Sequence, residues 1–364
     1  MSIEVRSRQG SYPVEVGAGL LRTVGAALRA SGVEGRAAVV TDRLVEPLWA
    51  APVTDSLASA GYAPVVLAVE PGEASKSLDA ADVLWGRLID AGFGRSDVLV
   101  ALGGGVVGDL AGFVAATFHR GMRWVQAPTT LLAQVDSSIG GKVAIDHRLG
   151  KNLVGAFHSP IRVVADVATL ATLSERERWN GLAEVVKTAL VLDAAHFEEL
   201  EVVLALLGRG LVDSEGWRGV VERTAGLKAR LVSEDEDERG PRTLLNFGHT
   251  VAHALEAATG HGPLTHGEAV VVGMRAAVAV SRRLGRLAAA DATRIDAVLD
   301  RFPRPSGLQR PTREDVLAAM GRDKKVLAGK LRYVVLDGIG RGAVEPGLSP
   351  ELAELAVNVA LEAL

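Results

Sequence analysis

The stretch Asp97-Val98-Leu99-Val100-Ala101-Leu102-Gly103-Gly104-Gly105-Val106-Val107-Gly108-Asp109 decides the fold class. The unbroken apolar run through Leu102 is what a strand buried on both faces requires, and a helix is expected from Val106 onward. Between them Gly103, Gly105 and Gly108 stand at the G-x-G-x-x-G spacing, where glycines let backbone N–H groups approach a pyrophosphate at a helix N-terminus. A tight strand-to-helix turn would use the same glycines without any ligand. No acid lies about 20 residues downstream to take a ribose hydroxyl. The acids lie upstream: Asp42 ends an earlier apolar run, and Glu73 sits in Pro71-Gly72-Glu73-Ala74-Ser75-Lys76-Ser77. A nucleotide site here is therefore not the ordinary Rossmann version. Val98 to Phe118 is apolar enough to suggest a membrane span, but with its glycines and Asp109 a strand, a glycine loop and a helix explain it better.

Outward from this stretch, strand and helix signals alternate. Ala37 to Asp42, Val65 to Val69 and Ile161 to Asp166 read as strands, and Leu78 to Ala91 as a helix. This is the pattern of a mostly parallel sheet. From about Leu173 the texture becomes helical, with periodic segments at Glu175–Leu192, Phe197–Leu207, Glu215–Val232, Thr250–Thr259 and Glu268–Leu284. The 364 residues therefore divide into an α/β domain, 1–172, and a mainly α-helical domain, 173–364. The acidic run Ser233 to Arg239 reads as a solvated loop.

With 48% hydrophobic residues the chain can bury a substantial core, and its net charge of −4 makes it no general trap for nucleic acid. The absence of cysteine excludes disulfides, thiol nucleophiles and thiolate metal ligands. The first ten residues alternate apolar and charged positions, as a strand does and a signal peptide does not. Of the 40 cations only eight are lysine, at 76, 142, 151, 187, 228, 324, 325 and 330. A codon bias explains the surplus arginine; lysine kept against that bias marks places where a compact ammonium is wanted.

Four of the eight histidines lie between 249 and 266. His249 and His253 share a helix face, and His266 begins a His-Gly-Glu after a glycine- and proline-containing loop. Two histidines from separate segments with a distant carboxylate make a catalytic metal site with an open position. Glu184, in an otherwise apolar helical stretch, is the best third ligand, because a lone carboxylate there is costly without a partner. His261 has no special context. Gly140-Gly141-Lys142 and Gly150-Lys151-Asn152 read as short loops bearing lysines. With Lys187, Lys228, Arg242 and Asp323-Lys324-Lys325 they could cage an anion in a net-negative protein.

These segments, in this order, resemble the 3-dehydroquinate synthase family of sugar-phosphate cyclases. The resemblance runs through Pro71–Ser77, Gly103–Phe113, Arg120-Gly121, Pro128–Lys142, Gly150–Phe157, Gly181–Lys187, Leu245–Thr250, His266–Glu268 and Asp323–Lys325. It implies a Rossmann-like dinucleotide-binding domain followed by a helical domain, in a cytoplasmic homodimer. NAD would be held by Asp42, Glu73, Lys76, Gly104, Gly105, Gly108, Asp109, Thr129, Thr130, Lys151, Thr169 and Thr172, with Lys142 between nicotinamide and substrate. Glu184, His249 and His266 would bind zinc or cobalt. Asp136, Lys142, Lys187 and His253 would be catalytic. Arg120, Asn152, Lys228, Arg242, Asn246 and Lys325 would bind substrate, with Arg120 reaching the neighbouring subunit's site.

The implied reaction turns 3-deoxy-D-arabino-heptulosonate 7-phosphate into 3-dehydroquinate and phosphate, a step toward aromatic amino acids. It proceeds by transient oxidation, phosphate elimination, reduction, ring opening and intramolecular aldol closure. Four positions depart from the family pattern: Leu44, Asp146, Asn180 and Thr188. A sister cyclase such as aminodehydroquinate synthase would share nearly the whole site. A metal-dependent polyol dehydrogenase of the glycerol dehydrogenase type would share the glycine turn and the metal but not the lysine cage. A non-catalytic binding protein has no use for the metal triad.

Overall fold

Nine strands run through the first part of the chain: β1 Ser2–Ser7, β2 Gly10–Gly17, β3 Ala37–Asp42, β4 Val65–Val69, β5 Val98–Gly103, β6 Arg123–Pro128, β7 Lys142–His147, β8 Gly150–Phe157 and β9 Arg162–Asp166. The computed structural model describes residues 2–260, 262–321, 326, 327 and 330–364, so His261 and Asp323, Lys324 and Lys325 lie outside the described residues. Seven strands form one sheet in the order β1-β2-β9-β6-β5-β3-β4, parallel except for β1. Alternate residues of β3 enter opposite cores. Ala38 and Val40 pack with Leu84, Leu88 and Trp124, and Ala37 and Val39 with Leu28, Val53 and Leu57. A strand covered on both faces must be apolar throughout, which is why its sequence does not alternate. Chain order reverses at β3, with β4 on one side and β5, β6 and β9 on the other. In open α/β sheets the strand ends at such a reversal bind ligands.

The helix Gly105–Thr117 lies close on this sheet because its glycines leave room. A Cβ on Gly112 would stand 2.3 Å from Val143 Cγ1 and 2.7 Å from Trp124 Cη2. The Gly-Lys segments are not loops throughout, as their glycines suggested. Lys142 opens β7 and Gly150 opens β8, an antiparallel hairpin whose Val143 and Ile145 are buried. Val143 and Ile145 alternate with more exposed neighbours at the strand period of two, a signal outweighed in the sequence by the flanking glycines.

The chain divides into two units: Met1–Leu173 with Val212–Glu236, and Ser174–Leu211 with Asp237–Leu364. The helix Ser214–Glu234 thus joins the α/β unit, although the sequence reading assigns it with all of 173–364 to the helical domain. It packs on β1, β2 and the wide turn Ala133–Ser137. Ser233 Oγ and Glu236 Oε2 accept the backbone N–H groups of Arg6 and Arg8, each at 2.9 Å. Part of the acidic run is therefore structural.

The second unit is mainly helical. Helix Glu175–Leu192 is buried at nearly every position from Trp179 to Val191, so the two charges it carries there are drawn inside. Helices His249–Ala258 and His266–Arg283 pack together, the first beginning at Gly248 in the left-handed region (φ 78°). A Cβ on Gly273 would lie 2.0 Å from Gly248 O, so only glycine lets these backbones meet. No helix among the described residues is long and apolar enough to cross a membrane.

Candidate functional site

In the α/β unit the proposed cofactor residues gather after the C-terminal ends of parallel strands. Asp42 ends β3, Gly104 and Gly105 follow β5, Thr129 and Thr130 follow β6, and Thr169 and Thr172 lie in the short helix after β9. Asp42 Oδ1 accepts the N–H groups of Leu44 and Val45 at 2.8 and 2.9 Å, so the backbone at Leu44 closes the turn whatever its side chain. Thr129 N donates to Gly103 O at 2.9 Å, and Gly104 faces the Thr130 methyl, which a Cβ would meet at 3.0 Å. Gly108 lies over Gln126 of β6, 2.6 Å from where its Cβ would be. Gln134 Nε2 bridges Pro128 O, Asp166 O and Thr169 Oγ1, tying the ends of β6 and β9 together.

Lys76 is the hub of a buried polar cluster in the same unit. Its Nζ lies 2.6 Å from Asp109 Oδ2 and 3.9 Å from Glu73 Oε1, and it donates to Asn152 Oδ1. Lys151 Nζ stands 3.3 Å from the same Glu73 oxygen. Asn152 has a left-handed backbone (φ 55°), and its N–H donates to Asp146 Oδ1 at 2.9 Å. Burial pushes the Asp109 carboxyl up to about 6 even beside the Lys76 ammonium. Burial works against the Lys76 charge too, but Asp109, Glu73 and Asp146 outweigh it and its pKa is raised. The sequence reading sorts Lys76 with the cofactor and Asn152 with the substrate; the structure places them in contact.

Asp136 and Lys228, 92 residues apart, also meet in this unit. Lys228 Nζ donates to Asp136 Oδ1 at 2.6 Å and to Asp136 O at 2.8 Å. Lys142 is exposed at the head of β7, after Gly140 and Gly141, both at positive φ. His119, Arg120 and Gly121 have φ of 49°, 64° and 119°. Two consecutive non-glycine residues in that region store strain, a feature that concentrates at functional sites.

The helical unit holds the metal-type cluster. Glu184, His249 and His266 each offer a ligand atom within 4.8 Å of the others. His249 Nε2 and His266 Nε2 lie 3.6 and 3.5 Å from Glu184 Oε1. Ligand distances of about 2.0–2.2 Å put the atoms of a metal tetrahedron about 3.3–3.6 Å apart. Glu184 is 1% exposed, and neither of its carboxylate oxygens accepts a bond of hydrogen-bond geometry, although Lys187 touches Oε2 as an ion pair. Such a carboxylate, buried, with an ammonium on one oxygen and two imidazoles facing the other, fits a divalent cation. Burial disfavours the Glu184 charge, but Lys187 and then His266 outweigh it and hold the carboxyl low. His249 Nδ1 lies 3.2 Å from Phe247 O and His266 Nδ1 3.4 Å from Glu256 Oε1, which leaves both Nε2 atoms for the cation. Burial lowers the His266 pKa, but Glu184 and Glu256 push it up to about 10.

Of the other expected site residues of this unit, His253 stands beside the cluster. The His253 ring lies 5.4 Å from that of His249 and 6.3 Å from that of His266, outside the ligand trio. Arg242 is buried, and Asn246 donates to Glu238 Oε1. Lys325 lies outside the described residues. Sequence reasoning did not single out Glu256 or Glu238, and gave Asn180 and Asp146 no role. Glu256 carried the signal that exposed Glu184, a carboxylate amid apolar helical neighbours. Asn180 acts through the Gly267 N–H, far away in sequence, and Asp146 through the Asn152 N–H across the turn between β7 and β8, and neither contact is marked by residue type.

Residues 66–180 match the family described as 3-dehydroquinate synthase N-terminal, and residues 181–326 the one described as 3-dehydroquinate synthase C-terminal. The chain belongs to the 3-dehydroquinate synthase family. A 3-dehydroquinate synthase of Geobacter metallireducens is 44% identical over 331 residues, 91% of each chain. Solved structures of other cyclases superpose on nearly the whole chain. A 2-deoxy-scyllo-inosose synthase complexed with carbaglucose-6-phosphate, NAD+ and Co2+ is 25% identical with a TM-score of 0.88, covering 100% of both chains. The 2-epi-5-epi-valiolone synthase of Streptomyces hygroscopicus, with NAD+ and Zn2+ bound, is 27% identical with a TM-score of 0.88 over 98% of both. A glycerol dehydrogenase from Schizosaccharomyces pombe shares the fold at 17% identity and a TM-score of 0.67.

Proposed function

We propose that this chain is a 3-dehydroquinate synthase, a carbon–oxygen lyase that converts 3-deoxy-D-arabino-heptulosonate 7-phosphate to 3-dehydroquinate and phosphate. The carrying observation is its 44% identity to a 3-dehydroquinate synthase over 91% of both chains, against 25% and 27% for the two sister cyclases. The donor set supports the cofactors: a hard carboxylate and two imidazoles suit zinc or cobalt, and the glycine turn at a topological reversal suits NAD. When bound, the metal supplies Lewis acidity and NAD a reversible hydride acceptor, so the overall conversion needs no external oxidant.

The chain's own groups supply charge, orientation and proton transfer. Glu184, His249 and His266 hold the metal, and Lys187, in ion-pair contact with Glu184, keeps that carboxylate ionised. Asp42, Glu73, Lys76, Gly104, Gly105, Gly108, Asp109, Thr129, Thr130, Lys151, Thr169 and Thr172 hold NAD or shape its turn. Lys142, Lys187, His253 and Asp136 position reacting groups or move protons. Arg120, Asn152, Lys228, Arg242, Asn246 and Lys325 bind the substrate's phosphate, carboxylate and hydroxyls. The protein works as a cytoplasmic homodimer in which Arg120, on its strained turn, reaches the neighbouring copy's substrate.

Release of inorganic phosphate from the heptulosonate phosphate tests this reading. It should require NAD and a divalent metal, cease with a chelator, and leave no net NADH. Accumulating NADH would overturn the lyase in favour of a dehydrogenase. Faster turnover of the amino-substituted substrate would move the chain to a sister cyclase. Sedimentation and mixed dimers of Arg120→Ala with a metal-ligand variant test the subunit arrangement.

A further inference from the structure

Arg176, Asn180 and Glu184 stand four residues apart and form one stripe on the helix Glu175–Leu192. Each meets one of three consecutive residues that open the helix His266–Arg283, in reverse order. Arg176 Nε and Nη2 donate to Glu268 Oε1 and Oε2, both at 2.9 Å. Asn180 Oδ1 accepts the Gly267 N–H at 2.7 Å. Glu184 Oε1 lies 3.5 Å from His266 Nε2.

The middle contact is the tightest. The first N–H groups of a helix have no acceptor within it. Thr265 caps this helix by accepting from Glu268 N at 3.2 Å, which does not serve Gly267. Asn180, on another helix and 8% exposed, serves it instead. Its amide is oriented, because Nδ2 donates to Glu177 Oε2 at 3.0 Å and so turns Oδ1 toward Gly267. The two backbones nearly touch here: a Cβ on Gly267 would lie 2.3 Å from Asn180 O. A residue bonded directly to His266 is thereby fixed to the helix that carries Glu184.

We infer that Asn180 is a positioning residue for the metal centre, holding Gly267 N and thereby setting His266 Nε2 against Glu184 Oε1. The inference rests on the metal reading of Glu184, His249 and His266. Arg176 clasps the same helix, but its side chain is 57% exposed and its partner Glu268 stands two residues beyond His266, so its ion pair holds His266 weakly.

Co2+ titration of the metal-free full-length protein tests this, with affinity read by chelator competition and geometry by the visible spectrum of the bound ion. Asn180→Ala should weaken Co2+ binding by about 10–100-fold and shift the spectrum. Arg176→Ala should change the affinity by less than about threefold. If Asn180→Ala does not fold, Asn180→Ser, whose shorter hydroxyl still accepts, should fold and weaken Co2+ binding in the same direction by less. Wild-type affinity and spectrum in the folded variants, with only a lowered metal-free melting temperature, would reduce Asn180 to a structural role and overturn the inference. Failure of the wild type itself to bind Co2+ would instead sink the metal reading, and the inference with it.

Discussion

The Lys76 ammonium lies 2.6 Å from the Asp109 carboxylate, yet the Asp109 pKa stands at about 6, above its ordinary 3.8. Burial outweighs the partner. A carboxyl whose folded pKa is raised contributes stability that is complete below its unfolded pKa and lost as pH rises through the folded value. The window is therefore about pH 4 to 6, and the difference amounts to at most about 3 kcal/mol. Denaturant unfolding of the metal-free, NAD-free protein should show the wild type gaining stability toward acid in that window relative to Asp109→Asn. A flat difference curve would contradict the raised pKa. The Lys76 pKa is also raised, and its contribution is lost only as pH climbs through that higher value.

The histidine cluster divides by geometry. His249→Ala or His266→Ala removes one of the three proposed ligands, and zinc retained after dialysis, read by atomic absorption, should fall to background. His253→Ala should keep its metal and lose turnover, because its ring lies beside the trio and not within it. Equal metal loss in all three variants would refute this division.

Gly112 and Gly108 make different demands. An Ala methyl at 112 would strike Val143 at 2.3 Å and the Trp124 ring at 2.7 Å, both in the core. Gly112→Ala should destabilise by about 1–3 kcal/mol despite its better helix propensity. At 108 the methyl would meet the end of the Gln126 side chain, which can swing aside. Gly108→Ala should therefore cost less in urea melts, and an equal or greater cost would show that Gln126 is held rigidly.

Lys228 ties the helix Ser214–Glu234 to the turn bearing Asp136 through two bonds. Lys228→Ala leaves Asp136 facing a site without its cation and should cost about 2–4 kcal/mol. Lys228→Met keeps the packing of the stem, so it should recover part of that loss but none of the phosphate release. Recovery of activity in Lys228→Met would exclude a role for the charge.

Much of the fold was legible because it rests on short-range signals. The buried strands at Ala37–Asp42 and Val98–Gly103, the glycine turn and the long helices follow from apolar period and glycine placement. The cluster of Glu184, His249 and His266 was legible because carboxylates and imidazoles among apolar residues are costly without a purpose. The hairpin Lys142–Phe157 was obscured by its glycines, which signal loops wherever they stand.

What the sequence by itself determined is the family and which residues are candidates for chemistry, since motif order, residue type and local spacing are all written in it. Tertiary structure alone decided which of them meet. The helix Ser214–Glu234 has apolar residues enough to pack in either unit, and only long-range contacts such as Lys228 with Asp136 choose the first. Likewise no local pattern joins Asn180 to Gly267, or Lys76 to Asn152. Such pairs exist because close packing brings distant segments together, and a buried donor then takes whatever acceptor the packed neighbour presents.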